Sequence, residues 1–154
     1  MKIPFPWLPF LKFDFTGVPV VLALLLYGLD SGVTASIVAC LAILARSGDL
    51  VGALMKVLGE VSTIAGLYAG LSLLRSCRVL CSTAMGLLSR IAVMSVFNLI
   101  VLPLYYGMPF QVAIGLLPML GVFNAMQGAL TVGLGFFLYK AYRSRIPGEE
   151  AFTV

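Results

Sequence analysis

Five polar side chains interrupt the apolar stretches of this chain at spacings that matter chemically. Lys56 and Glu60 stand four residues apart, so on a helix they share one face and can neutralise each other. Asn124 and Gln127 stand three apart in the last apolar stretch and share a face in the same way. Asn98 stands alone in the stretch before it. Amides and a balanced ion pair supply hydrogen-bond donors and acceptors but no nucleophile. Catalysis of the Ser–His or Cys–His kind needs a base beside the nucleophile, and the chain contains 0 histidines. A glycine-rich loop ending in Gly-Lys-Ser/Thr is also missing, so ATP hydrolysis by that route is excluded. The residues therefore point to binding rather than to an enzyme. Each of the five taken alone fits interhelical glue as well as a site. Clustered at one depth on three helices, they read as a pocket open to one side.

The elements that must position them are membrane helices. Hydrophobic residues make up 61% of the 154-residue chain and charged residues 10%, with a mean hydropathy of +1.09. A water-facing domain carries about 25% charged residues, so lipid is the main solvent. The apolar stretches are long and unbroken rather than alternating, which excludes a transmembrane barrel. At about 20 residues per crossing, there is room for about five or six helices. The net charge of +4 does not indicate nucleic acid, because the basic residues sit at the ends of the apolar stretches. The 3 cysteines include Cys77 and Cys81 beside arginines at an expected cytoplasmic turn. They read as small apolar filler rather than a disulfide or a zinc site.

Residues 1–16 are rich in proline and aromatics, too broken for a helix, and expected to form an external loop or lid. Helices are expected over about 17–29, 33–45, 51–74 and 79–102, with a fifth apolar region over 112–142. The expected breaks are Asp30-Ser31-Gly32, Arg46-Ser47-Gly48-Asp49, the turn flanked by Arg75 and Arg78, and Pro103. Pro118 is expected to leave a loop or kink in the fifth region. Gly66-Leu67-Tyr68-Ala69-Gly70 is a GxxxG, the spacing that lets two helix backbones approach closely. The bundle thus occupies 17–143 and the polar tail 144–154. Arg75, Arg78, Lys140, Arg143 and Arg145 fall on one side and Lys2, Lys12 and Arg46 on the other, so the side of the five is read as cytoplasmic. The five polar residues then lie in the external half. Arg90 lies nearer the cytoplasmic half and is expected to snorkel there as an anchor.

The order of several segments resembles the substrate-binding S components of energy-coupling-factor (ECF) transporters, most of all their riboflavin-specific branch. Pro9-Phe10-Leu11-Lys12-Phe13-Asp14, followed by Val18-Pro19, resembles that branch's external loop. Gly48-Asp49-Leu50-Val51-Gly52 resembles its Gly-Asp-Pro-Val-Gly turn. Asn98 within Phe97–Gly107 resembles its Asn-Tyr-Phe…Leu-Pro-Leu-Tyr-Gly segment, and Phe123–Gly128 its Phe-Asn-x-x-Lys-Gly. The resemblance spans nearly the whole chain. It implies an all-α, S-component-like bundle in a prokaryotic plasma membrane, with the C-terminus cytoplasmic. The family has six helices; about five are expected here, and the missing first one is read either as lying ahead of Met1 or as marking a version that couples differently. It further implies capture of riboflavin or a related heterocyclic vitamin from outside, as cargo and not as a cofactor. The implied partners are lipid, an ECF coupling membrane protein and two ABC ATPases. Asn98 and Asn124 match the asparagines that contact the flavin ring in that branch. Gln127 stands where the branch has lysine, Lys56 where it has asparagine and Glu60 where it has glycine. With Leu11, Lys12, Phe13 and Asp14 of the loop, these are the candidate substrate-binding residues. The other reading of the layout is a membrane scaffold similar to the rod-shape protein MreD.

Overall fold

The computed structural model describes residues 3–5, 8–73 and 78–145, with side chains from residue 13 onward. Two short strands, β1 (Ile3–Phe5) and β2 (Leu8–Phe13), precede five helices: α1 (Gly17–Tyr27), α2 (Leu29–Ser47), α3 (Leu50–Leu73), α4 (Arg78–Tyr106) and α5 (Phe110–Arg145). Four of the helices, α2 to α5, are long and apolar enough to cross a membrane.

The proline-rich start does avoid helix, and it settles into an antiparallel hairpin pairing Ile3 with Phe13 and Pro4 with Lys12. Proline lacks the ladder N–H, and a two-stranded ribbon tolerates it because each strand keeps an open edge.

The break between α1 and α2 falls at Gly28 and not at the expected Asp30-Ser31-Gly32. Gly28 has φ 94°, a region that suits glycine alone, and its N–H caps α1 by donating to the Leu24 carbonyl at 2.9 Å. The polar cluster is instead the first turn of α2, where Asp30 complements the helix dipole. Gly48, at φ 67°, then ends α2. Asp49 starts α3 by accepting from the Gly52 N–H through Oδ1 at 2.9 Å, as an N-cap does.

Neither proline breaks its helix. Pro103 lies in the last turn of α4 and Pro118 inside α5. Each removes one backbone donor, which membrane helices tolerate where local adjustment re-satisfies the carbonyl.

With 11 residues, α1 is about 16 Å long, about half the hydrocarbon thickness. Expected to be short, over about 17–29, it also counts among about five expected crossings, and at this length it does not reach across. Gly17, its first residue, packs against the carboxylate of Glu60, which lies near the middle of α3. The helix therefore begins half-way through the bundle. Its Val20, Val21, Leu24 and Leu25 form the main core with Ile64, Leu67 and Leu71 of α3 and Val132 of α5. A second core of Leu102, Ala113 and Leu120 joins α4 to α5 at the other end.

The GxxxG does what its spacing implies. A Cβ on Gly66 would lie 2.6 Å from the Met85 carbonyl oxygen, and one on Gly70 would strike Ser82 Cα. Both obstacles are backbone that cannot turn aside. Gly70→Val is accordingly expected to push α3 off α4 and cost at least the roughly 1–3 kcal/mol of overpacking, read as an earlier thermal transition in detergent. Gly133→Val, where a Cβ meets nothing within 4 Å, should leave that transition in place.

Candidate functional site

At the end of the bundle remote from Arg78 and Arg145, the helices part around a cavity of about 400 Å³. Its wall takes residues from the first half of α3, the second half of α4 and the middle of α5, closed on another side by Ile43 and Ser47 of α2. Small-molecule sites run from about 300 to 1,000 Å³, so the volume suits a compact heterocycle. Phe123, Met55, Met94 and Val101 supply the apolar part of the wall.

Of the candidate residues, Asn98, Asn124, Gln127, Lys56 and Asp14 all border this cavity. Each asparagine is tethered by its own helix. Asn98 Nδ2 donates to the Met94 carbonyl at 2.6 Å, and Asn124 Nδ2 to the Leu120 carbonyl at 2.9 Å. This fixes both amides and leaves the Asn98 oxygen free of any acceptor role among the described residues.

Gln127 behaves differently. Its Nε2 donates to the Asp14 backbone carbonyl at 2.7 Å and to Thr131 Oγ1 at 3.3 Å, while its Oε1 accepts from the Asp14 N–H at 3.3 Å. Both amide hydrogens are therefore committed. Gln127 holds the loop ahead of α1 against α5 as a strand would, and Phe13 adds an aromatic contact with Phe123 at 5.0 Å between ring centroids. The side chains of Leu11 and Lys12 lie outside the described residues.

The expected Lys56–Glu60 pair is present at 2.7 Å, but it belongs to a longer row. Lys56 Nζ also meets Asp14 Oδ1 at 2.6 Å, and Glu60 Oε1 lies 3.6 Å from Arg90 Nη1. The order Asp14, Lys56, Glu60, Arg90 alternates in sign and sums to zero. That balance is what a low-dielectric interior requires, since an unpaired buried charge is costly. Asp14 sits in the loop ahead of α1. Its burial opposes ionisation, yet Lys56 and the hydrogen bonds from Thr16 hold its carboxyl below the ordinary carboxylate range. Glu60 does not reach the cavity wall. Its side chain is 2% exposed, and its Oε2 has no hydrogen-bond partner among the described residues.

Arg90 corrects the sequence reading. It does not snorkel to the cytoplasmic end; it is 3% exposed and turns inward to border the cavity. Its Nε donates to Asn124 Oδ1 at 3.4 Å, and its Nη1 to the Gly59 carbonyl at 3.2 Å and to Thr63 Oγ1 at 3.1 Å. Gly59 and Gly128 make the slot, since a Cβ on the first would lie 3.1 Å from Arg90 Nη2 and one on the second 3.2 Å from its Cδ. The signal was in the sequence as a glycine at 59 next to Glu60, but only the pairing of α3 with α4 reveals it. Among the described residues, no group of three or more His, Cys, Asp or Glu that could hold a metal is present.

No protein-family model matches the chain, and no curated protein matches it. Among solved structures, the chain is similar to the S component of a bacterial ECF transporter, with 27% identity and a TM-score of 0.81. The match covers 96% of this chain and 87% of that one. The bundle has the S-component fold. An S-component fold that opens a polar-lined cavity at one end supports a substrate-binding subunit of a transporter. Lys56 and Gln127 then gain a structural meaning: both hold Asp14 and so tie the loop ahead of α1 to the bundle.

Proposed function

We propose that this chain is the substrate-binding membrane subunit of an ECF-type importer, taking riboflavin or a related heterocyclic micronutrient from outside. The observation that carries the reading is the cavity of about 400 Å³, walled by fixed amides and bordered by Asp14, Lys56 and Arg90, within an S-component fold. Asn98, Asn124 and Lys56 would contact the ligand, and Phe13, Asp14 and Gln127 would hold the loop that covers it. The cavity end is read as external because the basic residues Lys140, Arg143 and Arg145 lie at the other end. Transport energy would come from partner ATPases through a membrane coupling protein.

Mass spectrometry of small molecules released from the purified protein is the first test, with a flavin or another vitamin-sized heterocycle expected. Trp7 is the 1 tryptophan of the chain and reports without labelling. Riboflavin is expected to quench its emission and raise the thermal transition. A protein that releases no heterocycle, and in which neither signal responds to riboflavin or other vitamins, would not be a binding subunit.

Asn98→Leu tests the wall itself. It removes an amide fixed by the Met94 carbonyl without touching the charge row, so binding is expected to weaken by about tenfold while the thermal transition of the empty protein stays close to wild type. Titration calorimetry with riboflavin measures the first and scanning fluorimetry the second.

A further inference from the structure

Arg90 is held on one edge and open on the other. Nε and Nη1 are engaged by Asn124, Thr63 and the Gly59 carbonyl, whereas Nη2 has no acceptor among the described residues. Arginine carries five N–H donors in a rigid planar fork, so a guanidinium pinned through two nitrogens presents the third in a fixed direction. The residue is 3% exposed and borders the cavity. A charged donor left unmatched at the cavity wall is a strong recognition element once an acceptor enters.

The charge of that acceptor is constrained by the neighbours. Asp14 and Glu60 balance Lys56 and Arg90 within contact distances of 2.6 to 3.6 Å. A carboxylate on the ligand would add one uncompensated negative charge beside Glu60, whose Oε2 is already unpartnered. A carbonyl or ring nitrogen adds none. We infer that Arg90 is a ligand-binding residue whose Nη2 donates to an uncharged acceptor on the ligand, and that the site selects neutral heterocycles over anionic ones. This rests on the proposed function and specifies which chemistry that site accepts.

Binding is to be measured on the full chain in detergent with riboflavin and lumichrome as neutral probes and pterin-6-carboxylate as the anion. The wild-type protein is expected to bind at least one neutral probe and to bind the anion at least about tenfold more weakly. Arg90→Lys keeps the charge opposite Glu60 but loses the planar fork. It is expected to weaken the neutral probe by about tenfold or more, the loss of one hydrogen bond from a charged donor. Because this variant also disturbs the slot, the pair Arg90→Met with Glu60→Met provides a second arm. It removes cation and anion together, leaving Lys56 with Asp14, so the fold is expected to persist while neutral-probe affinity drops by a similar factor. A double variant that melts like wild type and binds riboflavin or lumichrome within twofold of it overturns the inference, as does tightest binding by the anion. If wild type binds none of the probes, nor any other heterocycle, the proposed function falls and takes this inference with it.

Discussion

Lys56→Met is expected to be among the most damaging single changes in this chain. The substitution keeps the stem and removes the ammonium that sits 2.6 Å from Asp14 and 2.7 Å from Glu60. Two carboxylates then face each other's field with Arg90 as the remaining cation. Breaking a buried pair by removing one partner costs about 3–5 kcal/mol, and here one lysine serves two partners. A large fall in the thermal transition of the detergent-solubilised protein is expected. Adding Asp14→Asn to the same chain returns the row to balance, with Glu60 left to Arg90 at 3.6 Å, and should recover most of the loss. A Lys56→Met protein as stable as wild type would mean that the four groups are not a unit.

The second large effect is expected at Gln127. Gln127→Leu keeps the volume and deletes the two hydrogen bonds that clamp the Asp14 backbone, at 2.7 and 3.3 Å, leaving an N–H and a carbonyl without their partners. Together these are worth about 2–4 kcal/mol. Loss on that scale is expected to appear first at the loop, because α5 keeps its own backbone ladder. Amide exchange at Asp14 should accelerate by more than about tenfold, and whichever ligand the proposed site binds should leave faster with little change in its rate of arrival. Unchanged exchange at Asp14 would show that the loop is held by Phe13 and Lys56 alone.

Much of the architecture is legible in the residues. Helices over 51–74 and 79–102 come within a few residues of the observed α3 and α4, because long apolar stretches leave the backbone no partner but itself. Prolines were over-read. Pro103 and Pro118 weigh as breakers in water, whereas these helices carry them as interior residues. Gly28 was under-read for the opposite reason. It lacks polar neighbours on its N-terminal side, and its φ of 94° is a property of the backbone that composition does not announce. Periodicity placed Lys56, Glu60, Asn124 and Gln127 on two faces but was silent on the partner of each face. That is why Arg90 read as an anchor and why the hold of Gln127 on Asp14 went unseen: one needed the α3–α4 contact, the other a contact across 113 positions.

The alternating charge row also bears on how the chain is built into the bilayer. α3 carries its lysine and glutamate as an internal pair, so it enters lipid nearly neutral. α4 carries Arg90 between its ends, and an arginine at a helix centre costs about 2.5–3.5 kcal/mol on insertion. Entry of α3 and α4 as one helical hairpin lowers that cost, since Glu60 is then already beside Arg90 and Gly66 and Gly70 let the two arms close, and full balance waits for Asp14. Asp14 has the reverse history. It is translated before either of its holders, Lys56 and Gln127, and the later of the two belongs to the final helix. The loop ahead of α1 thus leaves the ribosome well before α3 and α5 and finds its seat only once both are in place.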